Sequence, residues 1–141
     1  MAKAKKKVVG LIEKVKIMGE KEIETYALFD TGARLTSIDI RLASKAKLGP
    51  VVKTTRIKNP SFKTIIRRPV VMAKIKIKGK VFEGYANLQD RSHMTFPVII
   101  GRNIIAGSFL VDAKKNEKLF EKIQKGCDTG QSYLHDFTKS K

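Results

Sequence analysis

A carboxylate, a hydroxyl and a glycine follow one another at the end of an apolar run near position 30. The run is Tyr26-Ala27-Leu28-Phe29, and the three residues are Asp30, Thr31 and Gly32. This pattern predicts a buried strand that ends in a tight turn, and we expect Gly32 to adopt a backbone conformation that other residues resist. A carboxylate held at such a turn can activate a water molecule when a second carboxylate shares its proton, because two like charges about 3 Å apart cannot both ionise.

The second carboxylate is expected to come from another copy of the chain. A second Asp-Thr-Gly occurs at Asp128-Thr129-Gly130, but it follows Lys125-Gly126-Cys127 rather than an apolar strand. Too few residues come after it to build the other half of an internally duplicated protein. The sequence therefore predicts a symmetric homodimer, in which the Asp30 side chains of two subunits meet on the two-fold axis.

Two strand ends are expected to position this site. A hairpin of strands at 8–17 and 22–29, joined by a turn at 18–21, delivers Asp30 to its turn. About seventy residues later, Pro97-Val98-Ile99-Ile100 forms a second apolar strand that also ends in a glycine, Gly101. The two strand ends together make half of a site, which a second subunit completes.

The remaining pattern favours a mainly β fold. Alternating and β-branched residues predict further strands at 51–57, 62–66, 71–77, 81–88, 96–100 and 108–111, and short helices at 40–47 and 101–106. Seven or eight short strands with one obvious early helix predict a closed β-barrel. Asp112 is predicted to cap a C-terminal helix over 113–125 that packs on the barrel. We expect three segments: a flexible basic arm, 1–7; a barrel domain, 8–112; and a C-terminal helix and tail, 113–141.

The positive charge of the chain is large and unevenly distributed. The formal net charge is +17, and residues 40–82 contain thirteen Lys and Arg side chains but no Asp or Glu. A surface that only confers solubility mixes both signs, so this distribution favours an anionic partner, either an acidic protein segment or nucleic acid. A basic module that binds RNA or the ribosome, or that binds peptides without cutting them, is the alternative to an enzyme. No aromatic sheet motif or Gly-x-x-Gly clamp for RNA occurs.

Membrane and disulfide chemistry are not expected. No apolar run approaches the ~20 residues that span a bilayer, and the run at 8–12 is too short for a signal-peptide core. Cys127 is the only cysteine, which excludes an intrachain disulfide. A cytoplasmic protein with no membrane partner is the expectation.

The motifs resemble those of the retropepsin-type aspartic peptidases. The active-site turn is matched by Asp30-Thr31-Gly32-Ala33, and the later hydrophobic-hydrophobic-glycine element by Ile99-Ile100-Gly101-Arg102-Asn103. More closely, the chain resembles a family of small prokaryotic retropepsin-like proteins often labelled ATP-dependent zinc proteases. The matching residues are 30–37, 67–71, 87–91, Met94 and 100–112. The resemblance covers roughly residues 8–112. It implies a retropepsin-like closed barrel (the acid-protease fold) and aspartic endopeptidase activity.

The resemblance also implies roles for individual residues. Asp30 would be the catalytic carboxylate, Thr31 would hydrogen-bond across the dimer, and Gly32 would permit close approach of the two turns. Ile100 and Gly101 would pack behind the turn. The implied substrate-binding set is Ala33, Arg34, Arg67, Arg68, Ile100, Gly101 and Arg102.

Arg34 departs from the retroviral pattern, in which an acidic residue follows Asp-Thr-Gly-Ala and can pair with the arginine of the Gly-Arg element. Arg102 is therefore expected to find another partner, Asp39 or Asp112. A cation beside the turn favours an acidic substrate, and some members of the resembling family are associated with trimming glutamate tails added to a ribosomal protein. Such a tail would suit the arginines and the basic hairpin at 51–66, which lies where a substrate-covering flap would be.

The zinc and ATP parts of the family label find no counterpart in these residues. No His-Glu-x-x-His motif and no Gly-rich phosphate loop occur, and His93 and His135 are isolated in the sequence. No metal ligands and no cofactor are therefore predicted.

Overall fold

The computed structural model describes residues 5–59 and 64–126. In this part of the chain, strands dominate and the three helices are short. The strands are β1 (Lys7–Val9), β2 (Ile12–Met18), β3 (Glu22–Phe29), β4 (Thr36–Asp39), β5 (Val51–Asn59), β6 (Thr64–Ile77), β7 (Lys80–Gln89), β8 (Val98–Ile100) and β9 (Phe109–Val111), and the helices are α1 (Ile40–Ala46), α2 (Arg102–Ile105) and α3 (Glu117–Gly126).

Six strands close into a barrel, which confirms the predicted fold class. Their order is β2-β3-β8-β4-β7-β6, and β6 pairs back onto β2 to complete the ring. The parallel pairs β3–β8 and β4–β7 bring the ends of distant segments together, since β8 follows β3 by about seventy residues. β5 pairs with β6 outside this ring, and β1 forms a separate parallel pair with β9.

Alternation along the strands fills the barrel interior. On β6, Val71, Ala73, Ile75 and Ile77 are fully buried while the lysines between them are exposed, as the period of two requires. Phe109 lies among the buried side chains with its ring centroid 5.8 Å from that of Phe29. Burial of each such large side chain contributes about 1.5–3 kcal/mol, so the barrel interior is the main source of stability.

The long hairpin β5–β6 differs from the prediction of two separate strands around Pro69. β6 runs through Pro69 without a break, and Pro69 lies opposite Thr54 on β5. The register of β6 with β7 ends at Val70, so at Pro69 the strand has only β5 as a neighbour. A proline that lacks its N–H is tolerated at such an edge position.

The largest other differences from the sequence prediction concern the first strand, an additional strand and the C-terminal helix. The strand expected at 8–17 is divided at Gly10, whose N–H donates to Glu13 Oε2 at 2.8 Å. Residues 36–39 form a strand, β4, that was not predicted. The helix expected from 113 begins at Glu117, because Asp112 Oδ1 accepts the N–H of Lys114 at 2.9 Å and so caps a preceding turn.

Helix α3 packs on the barrel as expected, with the ring centroid of Phe120 5.9 Å from that of Phe96. Several predicted features lie outside the described residues. They are the start of the basic arm at 1–4, the turn at 60–61, the start of the strand expected at 62–66, and the tail at 127–141 with its second Asp-Thr-Gly, Cys127 and His135. The three predicted segments stay predictions.

Candidate active site

Asp30 lies at the end of β3, in the tight turn that the sequence predicts. Its Oδ1 accepts the N–H of Gly32 at 2.9 Å, and its carbonyl oxygen accepts the N–H of Ala33 at 3.1 Å. Its own N–H donates to the carbonyl oxygen of Ile100 at 2.9 Å, which ties the turn to β8. The hydrogen bond from Gly32 holds the carboxylate in one pose. Because the residue is only half-buried, the carboxylate still reaches solvent.

The segment after β8 braces the turn from behind. The N–H of Arg102 donates to Ala33 O at 2.7 Å, and the N–H of Asn103 donates to Arg34 O at 3.2 Å. The Arg102 guanidinium donates through Nη1 to Thr31 O at 3.0 Å. The expectation that Arg102 pairs with Asp39 or Asp112 is therefore wrong: a main-chain oxygen of the turn takes the place of the missing acidic residue.

The two glycines of the site are required because there is no room for a side chain, and neither has a positive φ. Gly32 does not have the left-handed φ that we expected; a Cβ there would instead lie 3.2 Å from Asp30 Oδ1. Gly101 is more restricted, because a Cβ would lie 2.5 Å from Leu35 C and 2.9 Å from Thr36 N. Both glycines let the backbone approach a neighbour that a side chain would displace.

Thr36 and Asn103 join the two halves of the turn, and sequence reasoning assigned neither a role. The Thr36 hydroxyl accepts the N–H of Gly101 and donates to Asn103 Oδ1, each at 3.0 Å. Asn103 Oδ1 also accepts the N–H of Thr36 at 3.0 Å, and its amide nitrogen donates to Tyr85 O at 2.8 Å. The only feature of the sequence that could have indicated a role for Asn103 is its position directly after Gly101-Arg102.

A cleft of about 270 Å³ opens beside the turn. It lies between the turn, the β5–β6 hairpin and the ends of β4 and β7. Of the predicted substrate-binding residues, Ala33, Arg34 and Arg68 line it, together with Arg56 and Arg91, which were not predicted. Among the described residues, the cleft wall thus carries four arginines and no acidic side chain.

The other predicted substrate-binding residues lie elsewhere. Arg67 is exposed on β6 opposite Arg56 and is outside the cleft. Ile100 is fully buried in the core and Gly101 packs against Leu35, so both lie behind the turn, as the resemblance implied for them. Arg102 is exposed at the start of α2 and contacts the turn through Thr31.

Arg91 was missed because an arginine in a polar loop predicts an exposed side chain. It is only 6% exposed, and its Nε donates to Phe96 O at 2.9 Å. Burial lowers the pKa of Arg91, with Arg68 acting in the same direction, while the carboxylates of Asp39 and Asp30 raise it. Asp30 therefore lies within electrostatic reach of this guanidinium.

Asp39 is the fully buried carboxylate behind the cleft. Its Oδ2 accepts the N–H groups of Arg41 and Leu42 at 2.9 and 3.3 Å and so caps α1. Its Oδ1 accepts the N–H of Arg91 at 2.7 Å. Because its oxygens accept three main-chain N–H groups, this carboxylate has a structural role: it holds the start of α1 against the residues that follow β7.

The floor of the cleft is a short chain of polar side chains from β4 and β7. Gln89 donates through Nε2 to the Ser37 hydroxyl, which in turn donates to Asn87 Oδ1 at 2.9 Å. Ser37 and Asn87 are both buried. The floor is thus polar and internally hydrogen-bonded, which suits the binding of a polar main chain or side chain.

Residues 5–59 and 64–126 contain no group of three or more His, Cys, Asp or Glu side chains arranged to hold a metal ion. None of the helices in this part of the chain has the length and apolar character needed to cross a bilayer.

Solved structures with the same fold include two viral proteases. The protease of simian foamy virus (mac) is 15% identical, with 67% of this chain and 90% of that one covered and a TM-score of 0.51. The EIAV protease, solved with an inhibitor, is 22% identical, with 72% and 91% covered and a TM-score of 0.52. A Legionella pneumophila protein of unknown function is 22% identical, with 77% and 95% covered and a TM-score of 0.55.

The search of curated proteins gave no match. A family model described as "Retropepsin-like aspartic endopeptidase RimB" matches residues 42–119, a range that begins after the Asp30 turn. This range is more than half of the 141 residues. Together with the barrel and the turn geometry, the match confirms the resemblance: the chain belongs to the RimB-like family of retropepsin-like aspartic endopeptidases.

Proposed function

We propose that the protein is a homodimeric aspartic peptidase in which the Asp30 carboxylates of two subunits activate one water molecule. The observation that carries this proposal is the pose of Asp30, anchored by the Gly32 N–H at the end of β3 and beside an arginine-lined cleft. Family and fold support an aspartic endopeptidase-like hydrolase. The site then has the chemistry of a shared-proton carboxylate pair.

In this mechanism the two carboxyl groups titrate as a unit and hold one proton between them. The ionised member takes a proton from the water while the water oxygen attacks the peptide carbonyl carbon. The protonated member donates its proton to the carbonyl oxygen. The tetrahedral intermediate then collapses and the C–N bond breaks. The leaving nitrogen takes the proton that the first carboxyl group received from the water, and a hydroxyl of the intermediate returns a proton to the second carboxylate.

The second carboxylate comes from a second subunit. Asp39 is the acidic residue that shares the surroundings of Arg91 with Asp30, but it is fully buried and its oxygens accept three main-chain N–H groups. It has neither the exposure nor the free oxygen to bind a catalytic water. A two-fold axis through the turn supplies the missing group with identical geometry.

The substrate is an acidic or glutamate-rich peptide segment. The supporting observation is the cleft wall, where Arg34, Arg56, Arg68 and Arg91 place four cations around a polar floor. Arginine binds carboxylates through two parallel hydrogen bonds, which makes this wall better suited to Glu and Asp than to neutral side chains.

Substrate charge is expected to control both binding and rate. A glutamate-rich peptide should be cleaved with a higher kcat/KM than the same peptide with glutamine in place of glutamate, because the exposed arginines attract only the charged form. The difference should shrink as salt is raised, since screening acts over about 8 Å at physiological ionic strength. Cleavage of both peptides at several salt concentrations, followed by mass spectrometry, measures this.

Equal cleavage of the two peptides at low salt would overturn the proposal that the substrate is acidic. If neither peptide, nor any generic peptide, is cleaved, the peptidase proposal fails. Tight RNA binding with a steep salt dependence and no peptide turnover would favour the RNA- or ribosome-binding alternative, because such a slope reports contacts with phosphates.

A further inference from the structure

Arg91 differs from the other arginines of the cleft in being buried and anchored. It follows β7, and 6% of its surface is exposed. Its main-chain N–H donates to Asp39 Oδ1 at 2.7 Å, and its Nε donates to Phe96 O at 2.9 Å. Arg34 and Arg56, by contrast, are exposed side chains.

The charge of Arg91 has no direct carboxylate partner among the described residues. The nearest buried carboxylate, Asp39, forms its ion pair with Arg41 at 3.4 Å and accepts only the main-chain N–H of Arg91. None of the ion pairs in residues 5–59 and 64–126 includes Arg91. Among the described residues no buried side-chain nitrogen lacks a hydrogen-bond partner, so the guanidinium N–H groups that do not bond to Phe96 O are open to the cleft, where an anion can bind them.

The guanidinium also lines the cleft, where a substrate carboxylate would enter. One of its five N–H groups is used on Phe96 O, and this bond orients the planar group. The pKa of Arg91 is lowered mainly by burial, which means that the charged form is not fully solvated in the free protein. Arginine nevertheless stays protonated near neutral pH.

We propose that Arg91 is the specificity-determining residue of the cleft, a fixed receptor that binds one Glu or Asp side-chain carboxylate of the peptide through two hydrogen bonds. This inference rests on the proposed function. It adds that most of the preference for an acidic peptide comes from this one buried arginine, while the exposed arginines supply the smaller, salt-dependent part. Arg34, Arg56 and Arg68 then serve for attraction.

Binding to an inactive protein separates this inference from catalysis. In an Asp30→Asn background, calorimetry measures the affinities for a glutamate peptide and for its glutamine counterpart. The ratio of these affinities is expected to fall by about ten- to a hundredfold in Arg91→Met, because a charge-assisted hydrogen-bonded pair is lost. Arg91→Lys keeps the charge but not the planar fork, so an intermediate ratio is expected.

Lys76→Gln is the matched control, since it removes one positive charge from the exposed outer face of β6, opposite Lys16. It is expected to leave the affinity ratio near that of the unsubstituted background. A second readout is pH: discrimination in the Arg91-containing protein should decline progressively as pH falls below about 4.3, because the glutamate carboxylate of the free peptide becomes protonated there. The glutamine peptide should show no such change.

Each outcome bears on one proposal. An unchanged affinity ratio in Arg91→Lys, or in folded Arg91→Met, overturns the inference, and so does an equal loss of discrimination in Lys76→Gln. If Arg91→Met does not fold, the Arg91→Lys ratio decides. If the ratio depends on Arg91 but protein with Asp30 intact cleaves no peptide, the peptidase proposal fails while the carboxylate receptor stands.

Discussion

Asp30→Asn is expected to abolish peptide hydrolysis and to leave the fold intact. Asparagine keeps the oxygen that accepts the Gly32 N–H, so the turn retains its 2.9 Å hydrogen bond. What is lost is the group that takes a proton from water and shares one with its symmetry mate. General acid-base catalysis by a positioned group raises the rate by about 10²–10⁴-fold, and the substituted dimer loses both the general base and the general acid. The measurement is kcat/KM on a glutamate-rich peptide, with circular dichroism to check the fold.

Asp112→Asn is the control for this substitution. It removes an exposed carboxylate whose Oδ1 accepts a main-chain N–H, that of Lys114, in the same manner as Asp30. Its activity should stay close to that of the parent protein. Asp30→Asn protein that cleaves peptide at the parent rate would show that the turn is structural only.

Gly101→Ala is expected to destabilise the barrel and to disturb the site. The new Cβ would lie 2.5 Å from Leu35 C, 2.6 Å from Leu35 O and 2.9 Å from Thr36 N, all of which are backbone atoms. These atoms belong to the segment that carries the turn into β4, so they cannot rotate away as a side chain would. Overpacking of this kind lowers the free energy of unfolding by about 1–3 kcal/mol or more.

Urea denaturation of the variant and of the parent protein measures this loss of stability. Peptidase activity should fall as well, because the residue after Gly101 holds the active-site turn: the N–H of Arg102 donates to Ala33 O at 2.7 Å. Gly79→Asn is a useful comparison. Gly79 has a φ of +80° but open space around its missing Cβ, and asparagine tolerates that region. A Gly101→Ala protein as stable as the parent would contradict the close approach of β8 and the turn.

The elements that could be predicted are those whose local pattern and tertiary setting agree. β3 begins at Glu22 and ends at Phe29 as expected, because its alternation leads into a turn that nothing in the tertiary structure overrides. Helix α1 was placed correctly to within one residue, since Asp39 caps its start and Lys47 ends it in the left-handed conformation. The Asp30 turn and its contact with β8 follow from the same signals.

The rest depends on partners that are distant in the sequence. β4 is fully buried although it consists of Thr36, Ser37, Ile38 and Asp39, because its polar side chains bond to Asn103, Asn87 and the start of α1. Arg91 is buried through Phe96 and Asp39, which no pattern in its own loop indicates. The cleft therefore contains the residues that sequence reasoning was least able to find.

The number of Asp30 residues needed for one active site tests the central claim most directly. Parent and Asp30→Asn subunits are unfolded together and refolded at several ratios, so that they pair at random, and activity is measured at constant total protein. If each site needs two Asp30 carboxylates, activity follows the square of the parent fraction and falls to about one quarter at equal amounts. A linear decline, to about one half at that point, would mean that each subunit acts alone and would contradict the shared site.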